Sequence, residues 1–293
     1  MTDREQTGQL AQLIDFLSLE KIDENLYRGV SPVSRNPRVF GGQVFAQAMR
    51  AAQDTVPAER MVHSQHAYFL RAGDPSIPII FQVDQIRDGG SFTTRRVVAL
   101  QRGKAIFNTS LSFQLIEEGL SHQDDMPLCP PPEEVEDDEI RWSIDQQKLG
   151  EHANRRPSFR PIEMRTVDPV DFNQREKRPA EKMVWMRARG SLPDDHSLHH
   201  AVLAYTSDYY LLGTGLLAHA VSFLDPDLQP ASLDHAIWFH DDFRVDEWLL
   251  YHMVCPRASH ARSLNRGSFY TRDGRLVATT MQEGLLRLNR KTI

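Results

Sequence analysis

The chain has 293 residues, enough for one large domain or two of moderate size. Its 40% hydrophobic content suffices to bury a core, and 25% charged residues is ordinary for a protein that folds in water. A net charge of −6 argues against a general nucleic-acid binder, while leaving room for a local basic pocket that takes an anionic ligand.

In chain order, Leu17 to Ile22 and Asn25 to Val30 read as a short strand pair. Gly41–Gly42–Gln43 opens a helix over Gln43–Gln53, with Val44, Ala48, Ala51 and Ala52 at helical spacing. Its small side chains would let a sheet wrap closely around it. Strands follow at Gln65–Arg71, Ile77–Arg87, Phe92–Gln101 and Ala105–Ile116. In the last, Phe107, Thr109, Leu111, Phe113 and Leu115 alternate with Asn108, Ser110, Ser112 and Gln114, the period of a strand with one buried face.

Residues 117–157 change character. Pro130–Pro131–Pro132 cannot continue a ladder, and Glu133, Glu134, Glu136, Asp137, Asp138 and Glu139 repel one another. This stretch reads as an acidic, solvated linker between an N-terminal unit, 1–116, and a C-terminal unit, 158–293. The second unit repeats the order of the first. Strands at Phe159–Val167 and Met183–Arg189 precede a helix over Ser197–Leu212, started by Asp194, Asp195 and Ser197. Strands at Leu233–His240, Glu247–Cys255, Ala261–Thr271 and Leu276–Arg287 complete it. Both units end in similar hairpins, turning at Arg102–Gly103–Lys104 and Asp273–Gly274–Arg275. An apolar helix beside a largely antiparallel sheet gives the α+β class, each sheet burying one face against its own helix.

The second helix differs from the first by an acid on its apolar stripe. Ala201, Ala204, Tyr205, Asp208, Leu211 and Leu212 share a face by spacing. An unpaired carboxylate there would cost several kcal/mol or take up a proton. Asp208 therefore reads either as a structural acid satisfied by neighbours or as a catalytic one. Gln282 interrupts the apolar face of Leu276–Leu288, where an amide can orient a water or a carbonyl oxygen, or serve as a satisfied buried polar group. Ser232 precedes its strand as a cap or turn residue would. A Ser232–His235–Asp234 triad is rejected, because neighbours on a strand point to opposite faces. Arg257, Arg262 and Arg266 beside the small residues Ala258 to Gly267 could grip phosphates, or form a solvated basic face. His196, His199 and His200 have metal-ligand spacing but lack the His-Glu-x-x-His glutamate, and capping or exposed histidines fit better. Cys129 and Cys255 make no disulfide framework, which points to a reducing, cytoplasmic compartment. No apolar run reaches the roughly 18 residues of a membrane span. The opening MTDREQTGQL is too polar for a signal peptide, and Lys291–Thr292–Ile293 is not a Ser-Lys-Leu address. No Walker or dinucleotide glycine pattern occurs, so nucleotide hydrolysis and hydride transfer are disfavoured, and with the histidines better explained as caps no metal is expected.

Taken together, Phe40–Gly41–Gly42–Gln43, Arg87–Asp88–Gly89–Gly90–Ser91–Phe92, Ala204–Tyr205–Thr206–Ser207–Asp208, Leu233–Asp234–His235 to His240, Glu247–Trp248–Leu249–Leu250–Tyr251, Arg266–Gly267–Ser268–Phe269–Tyr270 and Gln282–Glu283–Gly284 resemble the thioesterase II (TesB-type) acyl-CoA thioesterases. The resemblance covers nearly everything but the acidic linker. It implies a double hotdog fold, an acyl-CoA substrate, no cofactor, and a homodimer or homotetramer. It also implies a catalytic Asp, Thr and Gln that bind the attacking water. The Asp falls on Asp208, the Gln on Gln282 and the Thr on Ser232, which keeps the hydroxyl but loses the methyl that stiffens χ1. Coenzyme A phosphates would lie against Arg257, Arg262, Arg266 and Gly267. The Gly42 and Gln43 region would offer a backbone donor to the substrate. A hotdog hydratase or dehydratase, and a non-catalytic acyl-CoA binding module, are the alternatives.

Overall fold

The computed structural model describes residues 3–32, 37–142, 159–170 and 176–289. An N-terminal helix α1 (Asp3–Leu17) precedes the short strands β1 (Glu20–Asp23) and β2 (Leu26–Gly29). Helix α2 (Gly41–Gln53) leads into β3 (Met61–Phe69), β4 (Ile79–Asp88), β5 (Phe92–Gln101) and β6 (Lys104–Gln114). The second half comprises β7 (Ile162–Thr166), β8 (Glu181–Ala188), α3 (His196–Thr206) and α4 (Leu211–Thr214), then β9 (Leu228–Ser232), β10 (Asp234–Phe239), β11 (Leu249–Ser259), β12 (Arg262–Thr271) and β13 (Leu276–Leu288).

All strands join one 13-stranded antiparallel sheet in the order β1-β2-β4-β5-β6-β3-β10-β13-β12-β11-β8-β7, with β9 beside β13. The order of the first half, 1-2-4-5-6-3, is repeated by the second as 7-8-11-12-13-10. The halves meet where β3 pairs with β10, Ala67 opposite His235 and Gln65 opposite Ile237. They therefore share a sheet, and α2 packs against α3 as well as against strands. Each helix was expected against its own sheet alone. The difference arises because α2 is buried nearly all round, and its far side needs an apolar partner.

Three elements depart from the sequence reading. Helix α1, not anticipated, buries Leu10, Leu13, Phe16 and Leu17 at helical spacing. The helix expected over Ser197–Leu212 stops at Thr206, its ladder ending with Ser207 N on Leu203 O, and Tyr210, left-handed at φ 63°, separates it from α4, so Asp208 stands in a turn rather than on a helical stripe. Strand β9, bonded to the end of β13, precedes β10 as an extra strand.

The linker is a solvated connector only in part: residues 117–125 are exposed, but the stretch from Pro130 to Glu139 is docked on the fold. Residues Pro132–Glu134 form a 3-10 turn, and Val135 is buried with Trp185, Leu250 and Tyr270 on the outer face of the second half. Trp185 Nε1 donates to Pro130 O at 2.9 Å, and Arg165 Nη1 donates to Pro132 O at 2.7 Å. The acids that repel one another in sequence find cations in space. Arg189 pairs with Asp137 and Glu139, and Arg272 with Glu133. No described helix is long and apolar enough to cross a membrane.

Candidate active site

Asp208 is placed by the end of one helix and held by the start of another. Asp195 caps α3, accepting from Ser197 N and Leu198 N. At the other end Ser207 and Asp208 turn off the helix, and Asp208 meets the N-terminus of α2 from the other half. Its Oδ2 accepts the Gly42 N–H at 2.9 Å, where aligned peptide dipoles attract negative charge. The paired glycines make this approach possible. A Cβ on Gly41 would lie 2.7 Å from Asp208 Oδ2, and one on Gly42 would lie 2.3 Å from the Tyr205 carbonyl oxygen.

Gln282 comes from the helix-facing side of β13 and is wholly buried. Its Nε2 donates to Asp208 Oδ1 at 2.7 Å and lies 3.2 Å from His235 Nδ1. A carboxylate cannot donate, so the amide nitrogen must face it, and the amide oxygen points elsewhere. That oxygen, Gln282 Oε1, is buried with no hydrogen-bond partner among the described residues.

His235 sits on β10, fully buried, in phase with the buried Ile237 and Phe239. Ser207 Oγ donates to Ala204 O at 2.8 Å, so the contact of Ser207 Oγ with His235 Nε2, also 2.8 Å, uses the Nε2–H. His235 Nδ1 is then free to accept from Gln282. Burial pushes the imidazole down to about 4, against a smaller opposing pull from Asp208, and keeps it neutral. Sequence reasoning met His235 in a rejected triad and within a family motif, and gave it no role. The available signal was its phase with the buried side of the strand.

Ser232 stands on β9 opposite Gly284 of β13, two residues along the same face from Gln282. No hydrogen bond joins it to Asp208 or Gln282 among the described residues. The structure thus links Asp208 with Gln282 directly and sets Ser232 beside them.

Other candidates lie elsewhere. Arg262, Leu264 and Arg266 face outward from β12, while Ser263, Asn265 and Gly267 face the helices, so strand alternation turns Arg262 and Arg266 away from Asp208. Arg262 Nε donates to Glu283 at 2.9 Å, and Arg257, opposite Leu264, is exposed on that outer side. Gly267 serves packing: a Cβ would lie 2.3 Å from the Tyr251 ring. Gln43 is buried with its Nε2 within hydrogen-bond reach of Val30 O, Ser31 Oγ and Gln47 Oε1, so it fastens the loop before α2. Gly42 touches Asp208. The histidines near the start of α3 are not all surface caps: His199 Nδ1 accepts from Val245 N, and His200 packs against Phe239 and Phe243 with its imidazole pushed down to about 3 by burial.

Residues 159–285 match the family model for acyl-CoA thioesterase, and residues 31–114 match that for the acyl-CoA thioesterase N-terminal domain. The chain belongs to the acyl-CoA thioesterase family. It is 43% identical to acyl-coenzyme A thioesterase 8 of Mus musculus, covering 96% of this chain and 91% of that one. To acyl-CoA thioesterase 2 of Haemophilus influenzae it is 39% identical, over 96% of this chain and 98% of the other. The solved structure of acyl-CoA thioesterase II TesB2 from Mycobacterium marinum superposes with a TM-score of 0.78 at 40% identity, covering 94% and 98% of the two chains. The sheet and its repeated strand order are those of the double hotdog.

Proposed function

We propose that this acyl-CoA thioesterase family member hydrolyses acyl-CoA to a free acid and coenzyme A at Asp208 and Gln282, with Ser232 as the third group. The observation that carries the reading is the bond between Asp208 Oδ1 and Gln282 Nε2, made with Gln282 Oε1 buried and unpartnered. Such an acceptor suits one O–H of a water, and Asp208 suits the other. Asp208 takes a proton from that water as its oxygen attacks the thioester carbonyl carbon. The tetrahedral intermediate then expels the coenzyme A thiolate, which takes up the proton held by Asp208 and restores the carboxylate, with no covalent acyl-enzyme. General-base assistance of this kind is worth about 10²–10⁴-fold.

The Gly42 N–H is spent on Asp208, so it holds the base instead of the oxyanion. Ser232, on the same face as Gln282, supplies a hydroxyl that can accept from or donate to the water or the substrate oxygen. An apolar cavity of about 220 Å³ opens farther along this face, lined by Leu216, Val221, Leu228, Leu286 and Leu288, with Arg262 at its border. Its lining suits an apolar arm of the substrate.

Thiol release from acyl-CoA by the native chain and Asp208→Asn, compared side by side, tests the assignment. We expect the mutant to fold and to lose at least about 10²-fold in kcat. Native turnover in the mutant would remove Asp208 from the chemistry.

A further inference from the structure

The turn that carries Asp208 is pinned from outside by the linker. Asp138 is 3% exposed, although it belongs to the acidic run. Its Oδ1 accepts Thr166 N at 2.9 Å and Arg141 Nη1 at 3.3 Å; its Oδ2 accepts Thr166 Oγ1 at 2.7 Å and the Tyr210 hydroxyl at 2.8 Å. Tyr210 is two residues beyond Asp208, and its φ of 63° is the left-handed conformation that closes the turn carrying Asp208 and lets α4 begin. A tyrosine keeps that conformation only where its surroundings over-determine it. Asp138 is one such determinant, and the Lys182 ammonium over the Tyr210 ring at 4.8 Å is another.

The residues flanking Asp208 are held as well. The Ser207 carbonyl accepts the Tyr251 hydroxyl at 2.8 Å, and Tyr209 meets Tyr205 and the ring of Phe40. Phe40 is the N-cap residue of α2, whose Gly42 N–H holds Asp208. The carboxylate is thus fixed at its own oxygens and at the backbone on both sides. The strained side is fixed from the linker.

We propose that Asp138, acting through the Tyr210 hydroxyl, is a positioning residue for the carboxylate of Asp208. The linker in this reading is part of the hydrolytic apparatus, because releasing Tyr210 lets the turn relax and moves Asp208 away from Gly42 and Gln282. The inference rests on Asp208 as the proton acceptor.

The test uses full-length Tyr210→Phe, Asp138→Asn, their double variant, and Tyr210→Phe combined with Asp208→Asn, assayed on one acyl-CoA. Tyr210→Phe removes a single hydroxyl and leaves Asp138 with Thr166 and Arg141, so the fold is retained even where Asp138→Asn fails to fold. We expect kcat of Tyr210→Phe to fall roughly 10- to 100-fold with KM changed less than about twofold, since small displacements of a reacting group cost rates of this order. Asp138→Asn should lose at least a similar factor, since it also disturbs the bonds to Thr166 and Arg141, and adding Tyr210→Phe to it should cost little more, because the bond from Tyr210 to the carboxylate is already gone. In the Asp208→Asn background Tyr210→Phe should cost nothing further. A lowered melting temperature with native kcat per folded molecule would overturn the proposal and leave the bond a stabilising one only. An equal added loss in the Asp208→Asn background would also overturn it. Loss of activity in Asp208→Asn with a native rate in Tyr210→Phe rejects the clamp alone. Full activity in Asp208→Asn rejects the hydrolytic reading beneath it.

Discussion

At the scale of single residues, Gln282 is the hub of the site. Both of its N–H groups are used, one on Asp208 and one on His235, and this fixes the direction of its oxygen. The arrangement needs His235 neutral, because a proton on Nδ1 would face the amide N–H. Burial supplies that condition and creates a pH liability. The folded imidazole titrates at about 4, below the ordinary 6.5, so between these values the unfolded chain binds more protons. Stability is therefore lost as pH falls from about 6.5 towards 4, by about 3 kcal/mol when the loss is complete. Denaturant titrations at several pH values should show this slope, and His235→Gln should flatten it. An unchanged slope would place the liability on other groups, of which His200 is the nearest in kind.

Elements matter here through their ends. Helix α2 presents its N-terminus to a carboxylate, and α3 presents that carboxylate just beyond its C-terminus, so two helices from different halves assemble one site. The short α4 then covers the sheet beyond it, with Leu212 seated on Gly284. The linker is the element whose role changed most between sequence and structure. A solvated connector would accept an acid at position 135 without cost. Docked against Trp185, Leu250 and Tyr270, Val135→Asp buries a carboxylate among apolar groups and should lower stability by about 3 kcal/mol. A thermal melt of that variant settles it: no change in melting temperature would return the linker to solvent.

Over the whole molecule the duplication is unequal. Arg95 of β5 faces Leu111 of β6 in register, as Asn265 of β12 faces Gln282 of β13. Where the second copy has amides, the first has a buried guanidinium. Arg95 is 1% exposed and donates to Thr55 O at 3.0 Å, Thr55 Oγ1 at 2.9 Å and Asp88 at 2.7 Å. The first copy instead contributes the helix N-terminus that holds Asp208. This shared construction makes the halves interdependent, since separating them bares the β3 edge and the side of α2 that packs on α3. Residues 1–116 expressed alone should not form a monomeric, cooperatively melting unit. Gel filtration with thermal unfolding checks this, and a sharp monomeric transition would show the first copy to be autonomous.

The sequence by itself determined most of the elements and their repetition, though not α1, α4 or β9, because local alternation and helical spacing are written into neighbouring residues. The strand of Phe107 to Phe113, the small-residue helix after Gly41–Gly42, and the matching hairpins were legible for that reason. Gln282 was legible as a polar residue out of place on an apolar strand face, whereas Asp208 drew notice through a helical stripe that the structure replaces with a turn. Tertiary structure decided what those residues do to each other. The turn between α3 and α4 depended on a left-handed Tyr210 that no local pattern announces. His235 joined Gln282 only when β10 met β13, and the outward turn of Arg262 and Arg266 was fixed by the register of β12. The linker acids read as mutual repulsion until Arg189, Arg272, Thr166 and Tyr210 were brought to them across the fold. Charge and hydrogen-bond partners act over a few ångströms of space, and their positions in the chain do not report that distance.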